Sequence, residues 1–167
     1  MDTIWAPWRI EYIRESDTGG CFLCAALQSD DDADRLVLAR SAHTFVIMNR
    51  YPYNNGHLMV VPHRHEGDIE ALDDAVLAEL MRETVRAKRA LRRAMQPDGF
   101  NVGINLGRIA GAGLEEHLHV HIVPRWAADT NFMPVVADTK VVPQALKALY
   151  AELKPLFDET EVTDAGH

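Results

Sequence analysis

The run from Glu115 to Trp126, EEHLHVHIVPRW, constrains this chain more than any other part of it. His117, His119 and His121 alternate with Leu118, Val120 and Ile122, which is the period of a strand. On a strand, residues two apart share a face, so the imidazoles are expected in a row, about 6–7 Å apart along the backbone. The three apolar residues then point into a core. Pro124 cannot donate to a sheet ladder and is expected to end the run. A row of imidazoles can bind a metal, bind phosphate, or do nucleophilic and acid–base chemistry. The bland alternative is a solvated face that happens to be rich in histidine. The unbroken alternation of so uncommon a residue argues against it.

Around that strand the chain reads β-β-β-α-β-β-α after an irregular start. LVLAR (36–40) and HTFVIMN (43–49) are two strands joined by a tight turn at Ser41-Ala42. YPYNNG (51–56) is dense in turn residues, and HLMVVP (57–62) is a buried strand. The acidic patch SDDDAD (29–34) reads as a solvated loop. Val76, Leu80, Ala87, Leu91 and Met95 stripe a helix over 74–96, with Asp73 as N-cap and Pro97-Asp98-Gly99 as its stop. FNVGINLG (100–107) is a strand, and GRIAGAG (107–113) is a glycine-rich connection into the histidine run. A last helix starts near Pro143, with Leu146, Leu149, Leu153 and Leu156 on its apolar face and Pro155 expected to bend or end it. Strands gathered around one long central helix, with a C-terminal helix, indicate an α+β fold with a mainly antiparallel sheet. The 167 residues suit a single domain over 1–160, with 161–167 as a flexible tail.

Composition narrows the partners. A net charge of −8 argues against nucleic-acid polymers and anionic membranes, while leaving room for a small anionic ligand where positive groups gather. No run approaches a membrane span, and MDTIWAPWRIEYI lacks the apolar core of a signal peptide, so a cytoplasmic protein is expected. The two cysteines, Cys21 and Cys24, form a C-x-x-C pair. Such a pair is half of a metal site, a redox dithiol, or unligated packing. The preceding SDTGG does not read as the strand a redox motif expects, and the histidine-rich chain offers zinc further ligands.

His117-Leu118-His119-Val120-His121-Ile122-Val123 resembles the His-φ-His-φ-His-φ-φ signature of the histidine triad superfamily. Asn49-Arg50-Tyr51-Pro52-Tyr53-Asn54-Asn55-Gly56-His57 resembles that superfamily's N-x-x-P-x-x-x-G-H segment, with a long helix between the two motifs. The resemblance covers residues 21–126. WAPWR (5–9), AGAG (110–113), VPRW (123–126) and DTNFMPV (129–135) resemble its bacterial branch related to diadenosine tetraphosphate phosphorylases and hydrolases.

The resemblance implies a histidine-triad fold and a nucleotidyl hydrolase or transferase acting at the α-phosphate of adenine nucleotides such as dinucleoside polyphosphates. His119 would attack phosphorus and carry a covalent nucleotidyl group. A neutral imidazole suits that task near pH 7. His121 would contact phosphate oxygens or protonate the leaving group. His57 would support the row by hydrogen bonding, beside His117. Asn49 would bind ribose hydroxyls, its plain alternative being a turn residue. Asn105 stands in for a phosphate-binding glutamine of relatives, and Gly111 and Gly113 offer backbone N–H groups to phosphate. Gly113-Leu114-Glu115-Glu116 departs from the Gly-Gln-Ser/Thr stretch of relatives, so no phosphate-contacting Ser or Thr carries over. Arg50, Arg108 and Arg125 are candidates for local positive potential, each weighed against a surface role. Zinc-binding relatives imply a structural Zn2+ held by Cys21, Cys24, His65 and His117, with His63 competing for the third place. No organic cofactor is implied. The resemblance also implies a homodimer through the long helix, whose Ala75, Ala78 and Ala90 allow close approach while also suiting simple core packing, and the strand near Phe100 to Leu106. The alternatives are an adenosine phosphoramidase-type hydrolase, a metal-dependent phosphoesterase using the three histidines as ligands, and a nucleotide-binding regulatory protein with little turnover.

Overall fold

The computed structural model describes residues 20–127, 129 and 144–160. WAPWR, residues 130–135 of the DTNFMPV stretch, the helix start at Pro143 and the tail 161–167 lie outside the described residues.

Two short elements come first: α1, Phe22–Gln28, and a single helical turn α2, Asp32–Arg35. The acidic patch is therefore not a loop. Asp31 Oδ1 accepts the Asp34 N–H at 2.9 Å, and carboxylates in a first turn suit the positive end of a helix. Leu36 closes the turn in the left-handed region at φ 62°. Arg40 donates to Asp32 and to the carbonyls of Ala26, Leu27 and Ser29. One side chain thus satisfies the orphan acceptors at the end of α1 and ties both elements to the sheet.

The sheet is built from β1 (Val37–Arg40), β2 (Thr44–Met48), β3 (Leu58–Pro62), β4 (Gly99–Ile104) and β5 (Val120–Arg125). Its order is β1-β2-β3-β5-β4 and every pairing is antiparallel, as expected of this α+β chain. The inner strands read as continuous apolar runs because both faces are covered. Leu38, Val46, Met48, Leu58, Val60, Val120 and Ile122 pack with the long helix α3, Asp74–Met95, and the C-terminal helix α4, Leu146–Thr160. Val37, Phe45, Ile47, Met59 and Val61 face the other way, onto Leu23 and Ala26 of α1. On that second face Met59 sits opposite His121 in the ladder, and Gly103 on its other flank. The histidines therefore continue the face that α1 only partly covers.

The bounds of the histidine strand are corrected, and three further expectations are sharpened. The histidine strand starts at Val120, so His117 and His119 precede it, and it runs through Pro124 to Arg125. Pro124 is tolerated because β3 pairs only with Val120–Ile122, and an antiparallel neighbour needs a donor only from alternate residues. α4 continues through Pro155, where burial of Leu149, Leu153 and Phe157 outweighs one lost backbone bond. Asp73 takes the N-cap position of α3 but makes no side-chain cap bond. Ala90 faces the core, the packing role that its small size also suited.

Candidate active site

Two segments meet at the edge of the partly covered face. The first runs from Asn49 to His57 between β2 and β3. Gly56, at φ 77°, turns it under Met95, Leu91 and Pro124, where a Cβ would stand 2.7 Å from the Met95 sulfur. The second is the approach to β5, pinned by the Leu118 N–H to the Glu66 carbonyl at 2.7 Å. Gly67 is needed beside it, since a Cβ there would lie 2.2 Å from the Glu115 carbonyl oxygen.

Backbone groups set the tautomers of four imidazoles. A carbonyl can only accept and a peptide N–H can only donate, so each contact names the protonated nitrogen. His119 Nδ1 lies 2.9 Å from the His117 carbonyl, so Nδ1 carries the proton and Nε2 keeps its lone pair. His57 Nδ1 accepts the Tyr53 N–H at 3.0 Å, so its proton is on Nε2. That Nε2–H lies 2.9 Å from His121 Nδ1 and donates to it, which leaves His121 a donor through its own Nε2. His117 Nε2 donates to the Pro62 carbonyl at 2.8 Å, so its Nδ1 lone pair faces away, toward the cysteines. The rings of His119 and His121 pack edge to face at 4.6 Å. Burial, and then the neighbouring His119, push His121 down to about 4, so it is neutral near pH 7. The ring of His119, with Nδ1 on a carbonyl, and the neutral Nε2–H donor of His121 thus stand side by side.

The other predicted residues divide. Asn49 sits against His57, Nδ2 to Nδ1 at 3.2 Å, while its Oδ1 takes the Tyr51 N–H. It is at once a turn residue and a neighbour of the histidines. Asn105 bonds to the Gly111 carbonyl within the glycine loop at 3.4 Å rather than to a histidine. Gly111 and Gly113 lie on that exposed loop, which leaves β4 beside the ladder position of Val120. Arg50 donates to the Asp34 carbonyl, and the Arg125 charge is paired with the Asp129 carboxylate. Tyr53 carries no role in a reading of residue types, because its contribution is a main-chain N–H and a ring 4.6 Å from that of His57.

A second cluster adjoins the first. Cys21, Cys24, His65 and His117 present donor atoms all within 4.8 Å of one another. Tetrahedral zinc, with Zn–S near 2.3 Å and Zn–N near 2.0–2.1 Å, requires S···N edges of about 3.5 Å. The observed edges are 3.3 Å for Cys21–His117, 3.3 Å for Cys24–His65 and 3.5 Å for Cys24–His117. The donor set, its spacing and the free Nδ1 of His117 fit that ion. Burial and then the Cys21 thiol raise Cys24, so a cation supplies the charge that would hold it as thiolate. His65 Nε2 has the exposed Glu116 carboxylate 3.8 Å away, near but beyond hydrogen-bond distance. His63 turns away to the Thr44 carbonyl, and it is His65 whose donor atom lies with those of the cysteines and His117.

Residues 31–128 match the family described as HIT domain. An AP-4-A phosphorylase of Mycobacterium tuberculosis is 41% identical over 155 residues, spanning 88% of this chain and 80% of that protein. The adenylylsulfatase HINT3 of Arabidopsis thaliana is 26% identical over 116 residues, 66% of this chain and 57% of its own. The crystal structure of a zinc-bound histidine triad family protein from Mycobacterium smegmatis superposes with a TM-score of 0.67 at 22% identity, covering 86% of this chain and 96% of that one.

Proposed function

The chain belongs to the HIT domain family, and from that premise we propose that it transfers nucleotidyl groups at the α-phosphate of adenine nucleotides, with dinucleoside polyphosphates such as diadenosine tetraphosphate as substrates. The observation that carries this reading is the bond from His119 Nδ1–H to the His117 carbonyl, which leaves Nε2 as the ring nitrogen available to a substrate. His119 Nε2 attacks the α-phosphorus, an N–P bond forms, and the bridging P–O bond breaks to release ATP. The Nε2–H of His121 donates to the phosphoryl or departing oxygen, and the Tyr53–His57 chain keeps it in that tautomer. Inorganic phosphate then attacks the same phosphorus, the N–P bond to His119 breaks, and ADP leaves with the imidazole restored. Similarity to the mycobacterial AP-4-A phosphorylase supports phosphate as acceptor over water.

Asn49 would take the ribose hydroxyls, and the loop carrying Asn105, Gly111 and Gly113 would take phosphate oxygens. Zinc on Cys21, Cys24, His65 and His117 would be structural. It would tie α1 to the approach of β5, and the thiolates it needs suit a reducing cytoplasm. The chain would pair as a homodimer. Met81 and Val85 on α3 and Val102 on β4 are 63%, 41% and 47% exposed, and β4 pairs on one side only among the described residues.

Product analysis with diadenosine tetraphosphate tests the reading. ADP plus ATP is expected when phosphate is present, with an alkali-stable, acid-labile AMP adduct in a rapid quench. AMP plus ATP in the presence of phosphate would make water the acceptor. Nucleotide recovered unchanged, with no adduct, would leave a binding protein.

A further inference from the structure

The residues after β5 join the catalytic loop through a contact that the chemistry above does not use. Asp129 is paired with Arg125, yet the two differ: the Arg125 side chain is 50% exposed and the Asp129 side chain only 8%. The carboxylate is turned inward. Besides two Arg125 N–H groups it collects the Trp126 N–H at 3.3 Å and Asn54 Nδ2 at 2.8 Å. Arg125 is the first cause holding Asp129 at about 2, so it is ionised throughout the neutral range.

Asn54 is buried, and both hydrogens of its amide are used, one on Asp129 and one on the Pro124 carbonyl of β5 at 3.0 Å. Its own carbonyl accepts the His57 N–H at 3.2 Å, closing the turn that Gly56 permits. The residue before it supplies the N–H that sets His57. The loop thus reaches the end of β5 through Asn54, and His57 reaches His121 of the same strand. A shift of Asn54 against β5 would move Tyr53 N–H and His57 Nε2 together, and a hydrogen bond weakens steeply when its angle opens.

We propose that Asp129 is a positioning residue for the His57–His121 pair, acting through Asn54. The role in turnover rests on the reading above; the effect on the imidazoles does not. Replacement of Asp129 frees one Asn54 hydrogen and lets the turn rock about its remaining bond to Pro124. His57 then samples both tautomers, and His121 spends less time as an Nε2–H donor. His119, held by the His117 carbonyl on the other side, is not reached.

The test is Asp129→Ala in the full chain with 15N-labelled histidine. The expected result is His57 and His121 ring nitrogen shifts drawn toward tautomer averages, with those of His119 unchanged. With diadenosine tetraphosphate and phosphate, kcat falls on the order of 10–100-fold, the usual cost of removing an outer partner, and KM changes little. Asn54→Ser should give the same pattern and add little in the double variant. If the alanine protein does not fold, Asp129→Leu, which keeps the bulk and removes the acceptor for Asn54, should move the same His57 shifts. Wild-type His57 signals in a folded variant overturn the proposal, as do His119 shifts that move equally or effects of the two sites that simply add. A wild-type protein that forms no AMP adduct would remove the functional reading, and the ring-nitrogen shifts would still decide this one.

Discussion

At the scale of single residues, the site is organised by which nitrogen holds each proton, and main-chain groups decide it. His119 is the sharpest case, since its one ring contact to a carbonyl leaves Nε2 basic. His119→Ala is expected to lose about 10⁴–10⁶ in turnover, while nucleotide binding by calorimetry and the circular dichroism spectrum stay as in wild type. Retention of most activity would sink the covalent route. His121 has a consequence for stability as well. Burial holds it at about 4 in the fold, against about 6.5 in an unfolded chain. Between those values the unfolded chain binds more protons, so this group's stabilisation is complete above pH 6.5 and is lost as pH falls toward 4. Protonation would also set a His121 Nδ1–H against the His57 Nε2–H. Urea melts at pH 7, 5.5 and 4.5 should show a decline in wild type that is shallower in His121→Gln. Equal slopes in both proteins would show that His121 is not the group responsible.

At the scale of elements, α1 depends on more than its own sequence. It has seven residues, with Leu23 and Ala26 its buried side chains. So short a helix is marginal alone, and its docking draws on Arg40 and on the cysteine pair at its start. Purified protein is expected to hold about one zinc per chain, measured by mass spectrometry of the metal. Cys24→Ala should release it and lower the melting temperature, by roughly 2–4 °C for each kcal/mol lost. The main sheet and α3 have a core of their own, so the variant should remain folded. A protein isolated without metal and insensitive to chelator would refute the site.

For the whole molecule, three of the exposed large apolar residues, Met81, Val85 and Val102, lie on the long helix and the edge strand. Met81 and Val85 lie one turn apart on α3, and Val102 lies on the edge strand β4, opposite Ile122 in the ladder. An edge strand with an apolar outer position invites pairing with a second copy. Sedimentation equilibrium should therefore return twice the chain mass of 18.7 kDa. Val102→Lys should return the single-chain mass with the monomer fold intact, because Val102 is half exposed and contributes little to the core. Single-chain mass for the unaltered protein would defeat the homodimer. Among the described residues no helix is long and apolar enough to cross a membrane.

The sequence by itself determined the α+β class, the long helix, the antiparallel strands and the two histidine motifs. Each is written in a local period or a local stop signal: the 3.6-residue stripe from Val76 to Met95, the alternation at 117–122, the Pro97-Asp98-Gly99 break. It also named the zinc-type cluster, because relatives mark those positions, but it could not choose between His63 and His65. That choice is three-dimensional, since His63 turns to a carbonyl of β2 and His65 toward Cys24. Only the tertiary structure decided where the histidine strand begins and that Pro155 stays inside a helix. Only it revealed that Asn54 and Asp129, seventy-five residues apart, meet. The physical reason is common to all of these. They depend on hydrogen bonds between distant segments and on which backbone group stands opposite a side chain, and neither leaves a period in the chain.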